Sequence, residues 1–135
     1  MHEGKILVFP AHADRKLWSL PGGKMDFGET IEAALKREII EETSITPVIG
    51  QLLAIQELTG PDYHSIEFFY EIQNGSDFAN MDIKNATHGF EVLDHMFADP
   101  RDAALDIRPA FVKEIASMLA EEKPLPAPKI YSYTR

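Results

Sequence analysis

The chain lacks cysteine, has few basic residues and contains no long apolar run. With no cysteine in 135 residues, disulfides and thiolate-ligated metal sites are excluded, and a reducing cytoplasm is the expected setting. Lysine and arginine number 13 against 22 aspartates and glutamates, which gives a net charge of −9. Because no basic stripe is present, we do not expect duplex nucleic acid as a partner. No segment is long enough to span a membrane, and no signal-peptide pattern opens the chain.

The remaining composition predicts a folded domain. Hydrophobic residues make up 44% of the chain, which is enough to bury a core in a single domain of this length. We expect the domain to cover residues 1–123. Residues 124–135 read as a proline-rich linker and a tail, IYSYTR, that could add a strand.

Short strands alternate with two helices along the sequence. Thr30 is a suitable N-cap for a helix that extends to about Thr43, and Ile66–Ile72 alternates as a half-buried strand with its even-numbered apolar residues on one side. The other predicted elements are strands at Ile6–Phe9, 52–59 and 90–97, and a helix over 109–122 that Pro109 can open. This order predicts a mixed α/β sandwich.

The first predicted helix carries a cluster of acids. Glu38, Glu41 and Glu42 fall within an arc of roughly 100°, which continues the apolar stripe of the earlier turns. A solvated helix face is one interpretation. The other is a cation site, because mutually close carboxylates that are partly desolvated repel one another unless a cation lies among them. Clustered oxygen ligands suit Mg²⁺ or Mn²⁺.

Residues around the cluster favour the cation site. Arg37 can reach Glu29, which the turn before the helix brings close, and can fix its geometry through a bidentate contact. Upstream, Gly22 and Gly23 allow close approach of the backbone, so that a carbonyl could serve as a further oxygen ligand.

The spacing of these residues resembles the signature of the Nudix hydrolase family. That signature is G-x5-E-x7-R-E-U-x-E-E-x-G-U, where U is a bulky aliphatic residue, and every charged position is matched over residues 23–45 of this chain. The resemblance implies an α/β/α sandwich with a mixed sheet. It also implies hydrolysis of a nucleoside diphosphate linked to another moiety, with Mg²⁺ or Mn²⁺ as cofactor and a nucleotide-derived small molecule as substrate.

The resemblance also assigns roles to individual residues. Glu38, Glu41 and Glu42 are implied metal ligands, with the Gly22 carbonyl as a further candidate, while Glu29 and Arg37 are implied to form the pair that orients the helix. The catalytic set is Arg37 with a general base, for which Glu41 and the later Glu91, followed by Asp94, are candidates. The residues expected to contact substrate are Arg15, Lys16, Gly23 and Glu29, although a solvated loop is the alternative for Arg15 and Lys16.

The chain departs from the family pattern in three ways, one of which is that the basic residues that often follow the first strand near the signature are displaced to Arg15 and Lys16. Ser44 replaces the glycine expected near the end of the helix, where a left-handed turn costs serine about 1 kcal/mol relative to glycine. The strand that usually precedes the one at Ile6–Phe9 is missing, so the chain could be truncated there, or its tail could pair in that place, in cis or from a second copy.

The sequence leaves the substrate and the alternative function open. Pro61 matches a cue of ADP-ribose hydrolases and Tyr63 a cue of dinucleoside-polyphosphate hydrolases, and both lie in one turn. ADP-ribose or a nucleotide sugar is favoured, with a nucleoside triphosphate as a further option. The alternative function is a catalytically inactive Nudix fold that binds or senses a nucleotide. A homodimer is a further expectation, because many relatives pair.

Overall fold

The computed structural model describes residues 1–11, 16–81 and 95–135. Within these ranges the elements in chain order are β1 (Ile6–Pro10), β2 (Trp18–Ser19), α1 (Ile31–Thr43), β3 (Ile49–Thr59), β4 (His64–Ile72), β5 (Met96–Ala98), α2 (Phe111–Ala120) and β6 (Lys129–Thr134). A short 3₁₀ turn, Gly75–Phe78, follows β4. The described helices include none that is both long and apolar enough to cross a bilayer.

The strands that the structure describes form two three-stranded sheets. The first has the order β2-β1-β5 with antiparallel pairs, and the second has the order β4-β3-β6. In the second sheet β4 runs antiparallel to β3, whereas β6 runs parallel to it, with Ala54 paired to Lys129 at one end and Thr59 to Thr134 at the other. The tail of the chain therefore forms a strand within the same molecule.

Alternate residues of β1 face the two helices. Ile6 and Val8 belong to a core cluster that contains the α2 residues Phe111, Val112 and Ala116. Leu7 and Phe9 belong to a second cluster that contains Ile39 of α1. Because side chains alternate between the faces of a strand, β1 is covered by a helix layer on each side. The α/β/α sandwich with a mixed sheet is thus confirmed.

The ends of α1 follow local rules that the sequence predicts. The Thr30 hydroxyl accepts a hydrogen bond from the Ala33 N–H at 3.2 Å, as an N-cap does. At the other end Ser44 adopts the left-handed conformation, with φ 61°, and its N–H donates to the Ile40 carbonyl at 2.7 Å. The left-handed turn expected from the sequence is therefore confirmed, with serine in place of glycine.

Ser44→Gly is expected to stabilise the protein by about 1 kcal/mol, because glycine adopts the left-handed conformation without a Cβ clash. Thermal unfolding should show a midpoint raised by roughly 3–5 °C for a domain of this size. Ser44→Ala is the control and should show no gain, because alanine meets the same steric penalty. An equal rise for both variants would contradict the explanation.

The prediction for the face of β4 is wrong in its first half. Ile66 and Phe68, expected on the apolar side, are 56% and 38% exposed. Phe69 instead packs against the core, edge-on to Phe111 with ring centroids 5.1 Å apart. The register shifts between β3 and β4 place their extra residues on β3, opposite the Ile72 end of β4. Phe69 pairs with Ala54 of the first core cluster, whereas Ile72 packs against the second cluster, so the alternation of β4 holds. The even-numbered face is covered at Ile72 but is exposed at Ile66 and Phe68.

Candidate active site

The acid cluster lies along the flank of α1 next to its buried residues. Ile39 and Thr43 are the buried positions of the last two turns, and the acids flank them. The side chains of Glu38 and Glu41 are only 17% and 26% exposed. A fully solvated face is therefore excluded for these two carboxylates, and the interpretation of a partly desolvated cluster is favoured.

Arg37 connects the turn before α1 to the acid cluster. Its Nε and Nη2 donate to the two oxygens of Glu29 at 2.6 and 3.0 Å, which is the predicted bidentate pair. Its Nη1 donates to Glu38 Oε1 at 2.9 Å and to Glu41 Oε2 at 3.3 Å. Nη2 also donates to the Lys24 carbonyl at 3.0 Å. One guanidinium therefore contacts three glutamates and the backbone of the loop.

The two glycines bring the loop backbone against the acids. Gly22 has φ 150°, which favours glycine, and its N–H donates to Glu42 Oε2 at 3.0 Å. A Cβ at Gly23 would lie 2.2 Å from the Glu38 Cδ. Only a residue without a side chain leaves room for the Glu38 carboxylate in this position. Loop and helix together thus form one site lined by carboxylates.

The donor set fits a hard divalent cation. Three carboxylates and nearby backbone carbonyls are the oxygen ligands that Mg²⁺ and Mn²⁺ prefer. In the part of the chain that the structure describes, however, no three acidic or histidine side chains converge on one point as ligands. Glu38 and Glu41 are directed toward Arg37, and Glu42 toward the Gly22 N–H. Side-chain rearrangement is therefore required before these residues can hold a cation together.

Glu29 is strongly stabilised in its ionised form. The hydrogen bond from Arg37 is the main cause and the one from the Asp26 N–H the second, and together with the Arg37 charge they lower the pKa of Glu29 from 4.5 to about 2. The hydrogen bond to Glu29, and second the one to Glu38, raise the pKa of Arg37. Both groups are therefore charged throughout the physiological range, and the pair can position the loop and helix without titrating.

The Glu29–Arg37 pair is expected to make stability depend on pH in a defined window. Because the folded-state pKa of Glu29 is below its ordinary value, its contribution is present above pH 4.5 and is lost as pH falls toward 2. Glu29→Gln should lower the melting temperature at neutral pH, and this difference from the native protein should narrow between pH 4.5 and 2. Glu32→Gln, in the first turn of α1, controls for the removal of one exposed carboxylate close to Glu29 in the sequence. A difference that stays constant with pH would refute the assignment.

The structure describes only some of the other predicted site residues. Arg15, Glu91 and Asp94 lie outside the described residues, so their roles stay predictions. Lys16 is exposed, just before β2. The sequence analysis missed Asp26, whose carboxylate lies 3.4 Å from Arg37 Nη2 and whose N–H donates to Glu29. The position of Asp26, three residues before Glu29 in the same turn, is the feature of the sequence that could have indicated this contact.

Comparisons with known proteins agree on one family. The family profile described as NUDIX domain matches residues 2–116. The 8-oxo-dGTP diphosphatase of Escherichia coli is 41% identical over 63 residues, which cover 47% of this chain and 48% of that protein. The 8-oxo-(d)GTP phosphatase of Mycolicibacterium smegmatis is 36% identical over 107 residues, 78% of this chain and 30% of that protein. The ADP-ribose pyrophosphatase of Methanocaldococcus jannaschii is 37% identical over 73 residues, which cover 51% of this chain and 43% of that protein.

Solved structures share the fold. The MutT protein of Bacillus halodurans superposes with a TM-score of 0.67 at 23% identity, covering 98% of this chain and 84% of that chain. The Escherichia coli ORF135 protein superposes with a TM-score of 0.66 at 25% identity, covering 92% of this chain and 86% of that chain. By contrast, the sequence alignments with these three curated relatives span about half of each relative's length or less.

Proposed function

The chain belongs to the NUDIX family, and from that premise we propose that it is a hydrolase that requires Mg²⁺ or Mn²⁺. The proposed reaction is cleavage of the pyrophosphate bond in a nucleoside diphosphate linked to another moiety. The observation that carries the proposal is the arrangement of Glu38 and Glu42 against the Gly22–Gly23 backbone, with Glu41 beside Glu38 on Arg37 Nη1. Arg37 supplies one positive charge to the partly buried Glu38 and Glu41, and a divalent cation would offset the remaining repulsion among the carboxylates.

Each residue of the site has a proposed task. Glu38, Glu41 and Glu42 hold the cation, together with the Gly22 carbonyl. When bound there, the cation neutralises phosphate charge, orients the attacking water and lowers its pKa. Glu29 and Arg37 fix the turn against α1, so that the ligands stay in place. Gly23 lets the loop backbone lie against Glu38, next to the proposed position of the substrate phosphate, and Arg15 and Lys16 contribute positive charge to that phosphate.

A carboxylate takes the proton from the attacking water in this proposal. Glu41 is the candidate inside the cluster, because its side chain is partly buried and lies within reach of Arg37. Glu91 is the second candidate. A base has to accept the water proton at its carboxylate oxygen while the phosphorus–oxygen bond forms. The two candidates differ in that Glu41 also serves as a ligand.

The proposed substrates are nucleotides in which a second group is attached to a diphosphate. Relatives named for 8-oxo-dGTP and for ADP-ribose both support this class. The Pro61 cue for ADP-ribose remains in the turn between β3 and β4. The ring of Tyr63 in that turn lies so close to Gly60 that a Cβ there would be 2.4 Å from it. Since this packing gives Tyr63 a structural role, it weakens the cue for dinucleoside polyphosphates.

A substrate panel tests the proposal. The protein is incubated with Mg²⁺ and ADP-ribose, nucleotide sugars, dinucleoside polyphosphates, nucleoside triphosphates and 8-oxo-dGTP, and the phosphoryl products are measured. Turnover of at least one compound, abolished by chelation of Mg²⁺, is the expected result. Binding of a panel member without turnover would instead support the inactive nucleotide-binding module.

The setting and assembly of the protein are further parts of the proposal. The absence of cysteine and the class of substrate support a cytoplasmic location, which cell fractionation would test.

Exposed apolar side chains on the outer face of β4 and β6, including Ile66 and Ile130, offer a surface for a homodimer. Sedimentation analysis of the native chain would measure its oligomeric state. The net charge of −9 argues against duplex nucleic acid as a partner.

A further inference from the structure

We propose that Arg37 is the internal counter-ion of the acid cluster in the cation-free protein and that it is partly exchanged when a cation binds. Glu38 and Glu41 then leave Arg37 Nη1 for the cation, while Glu29 stays bound to Nε and Nη2. The inference rests on the proposed function, because it takes the cluster to be the cation site.

The hydrogen-bond donors of Arg37 divide into two groups. A guanidinium has five N–H donors, and the described contacts engage all of its three nitrogens. Nε and Nη2 contact Glu29 and the Lys24 carbonyl, which belong to the turn before the helix. Nη1 contacts Glu38 and Glu41, which belong to the cluster. The loop contacts and the cluster contacts can therefore change independently.

The two groups also differ in strength. The Glu29 pair is bidentate, with distances of 2.6 and 3.0 Å. Such a pair combines two charge-assisted bonds in one plane. The contacts of Nη1 are to one oxygen of each of two carboxylates, and the Glu41 distance is 3.3 Å. A competing cation should therefore take the Nη1 contacts before it disturbs the Glu29 pair.

The charge balance favours this exchange. In the part of the chain that the structure describes, the carboxylates of Asp26, Glu29, Glu38 and Glu41 all form ion pairs with Arg37, which carries one positive charge. A divalent cation adds two charges and binds carboxylate oxygens directly. Because the Glu38 and Glu41 side chains are mostly buried, water screens their repulsion incompletely. The cation-free arrangement is thus held by Arg37 until a better counter-ion is present.

Magnetic resonance of the arginine side chains tests the exchange in the native, full-length chain. With ¹⁵N-labelled arginine, Mg²⁺ is titrated while the Nε and Nη resonances of Arg37 are followed. The expected result is a shift of the Nη1 resonance with loss of its hydrogen bonds, while the Nε resonance changes little. Arg101 is the matched control, because it forms a bidentate pair with Asp99 at 2.8 and 2.9 Å outside the cluster.

A variant gives a second readout. If Arg37 competes with the cation, Arg37→Gln should lower the melting temperature in chelator but bind Mn²⁺ more tightly than Glu29→Gln, which also breaks the loop pair but keeps the Nη1 contacts. The paramagnetic signal of free Mn²⁺ measures both affinities. A Kd lower than that of Glu29→Gln by about fivefold or more is expected, which is the lower end of ordinary coupling between two binding events. Weaker Mn²⁺ binding by Arg37→Gln than by Glu29→Gln would overturn the competition and leave Arg37 as a residue that only positions the ligands.

The outcomes separate this inference from the proposed function. If Mg²⁺ binds and supports hydrolysis while the Nη1 resonance stays unchanged, the exchange is overturned and the proposed function stands. If neither Mg²⁺ nor Mn²⁺ binds, both are overturned. If Nη1 and Nε shift together, Arg37 leaves the site as a whole and the partial exchange is wrong.

Discussion

Glu41→Gln is expected to lower kcat by about 10²–10⁴-fold on whichever panel compound the native protein hydrolyses. The reason is that Glu41 is proposed both as a cation ligand and as the base that takes the water proton. Glutamine keeps the size of the side chain but can neither carry the charge nor accept the proton in the same way. The initial rate at saturating substrate and Mg²⁺ measures the effect.

Two further substitutions sharpen the interpretation of that result. Glu32→Gln is the matched control, because Glu32 lies on the exposed side of the same helix, and its activity should equal that of the native protein. Glu42→Gln should also lose most activity, since Glu42 is a proposed ligand held by the Gly22 N–H. If native rates persisted in both the Glu41 and Glu42 variants, the cluster could not be the catalytic centre.

Features set by neighbours in sequence could be predicted. The N-cap at Thr30, the left-handed Ser44 and the Glu29–Arg37 pair all involve residues within eight positions of one another. The geometry of a helix and its caps fixes such distances. The family signature lies in the same stretch, which explains why the candidate site could be identified from sequence.

Features set by distant residues could not be predicted. The exposure of Ile66 and Phe68 depends on how far the neighbouring elements cover that face of β4, which no local pattern reveals. Helix geometry placed the three acids on one arc, but it did not show that Glu42 turns to Gly22, twenty residues earlier. The sequence likewise did not show that Arg37 holds Glu38 and Glu41. Those contacts depend on the path of the loop, which brings its own acceptors to the same guanidinium.

The pairing of β6 with β3 is also a long-range feature, and its removal is expected to have a large effect on stability. Deleting residues 128–135 removes six paired positions along β3 and exposes one edge of that strand. It also removes Tyr131, whose ring stacks on Phe111 with centroids 4.1 Å apart and planes 10° from parallel. We expect the deleted chain to melt well below the native chain, and to associate through the open edge.

Two tyrosines on β6 separate the effect of the strand from that of the ring stack. Tyr131→Ala should cost about 2 kcal/mol, less than a fully buried aromatic residue because Tyr131 is only partly buried. Tyr133→Ala is the control on the same strand, since Tyr133 is 42% exposed, and its cost should be smaller. Denaturant unfolding measures both. If the deletion left stability and oligomeric state unchanged, β6 would contribute nothing to the fold. If the two substitutions lowered the free energy of unfolding by the same amount, the stack on Phe111 would not be what anchors the strand.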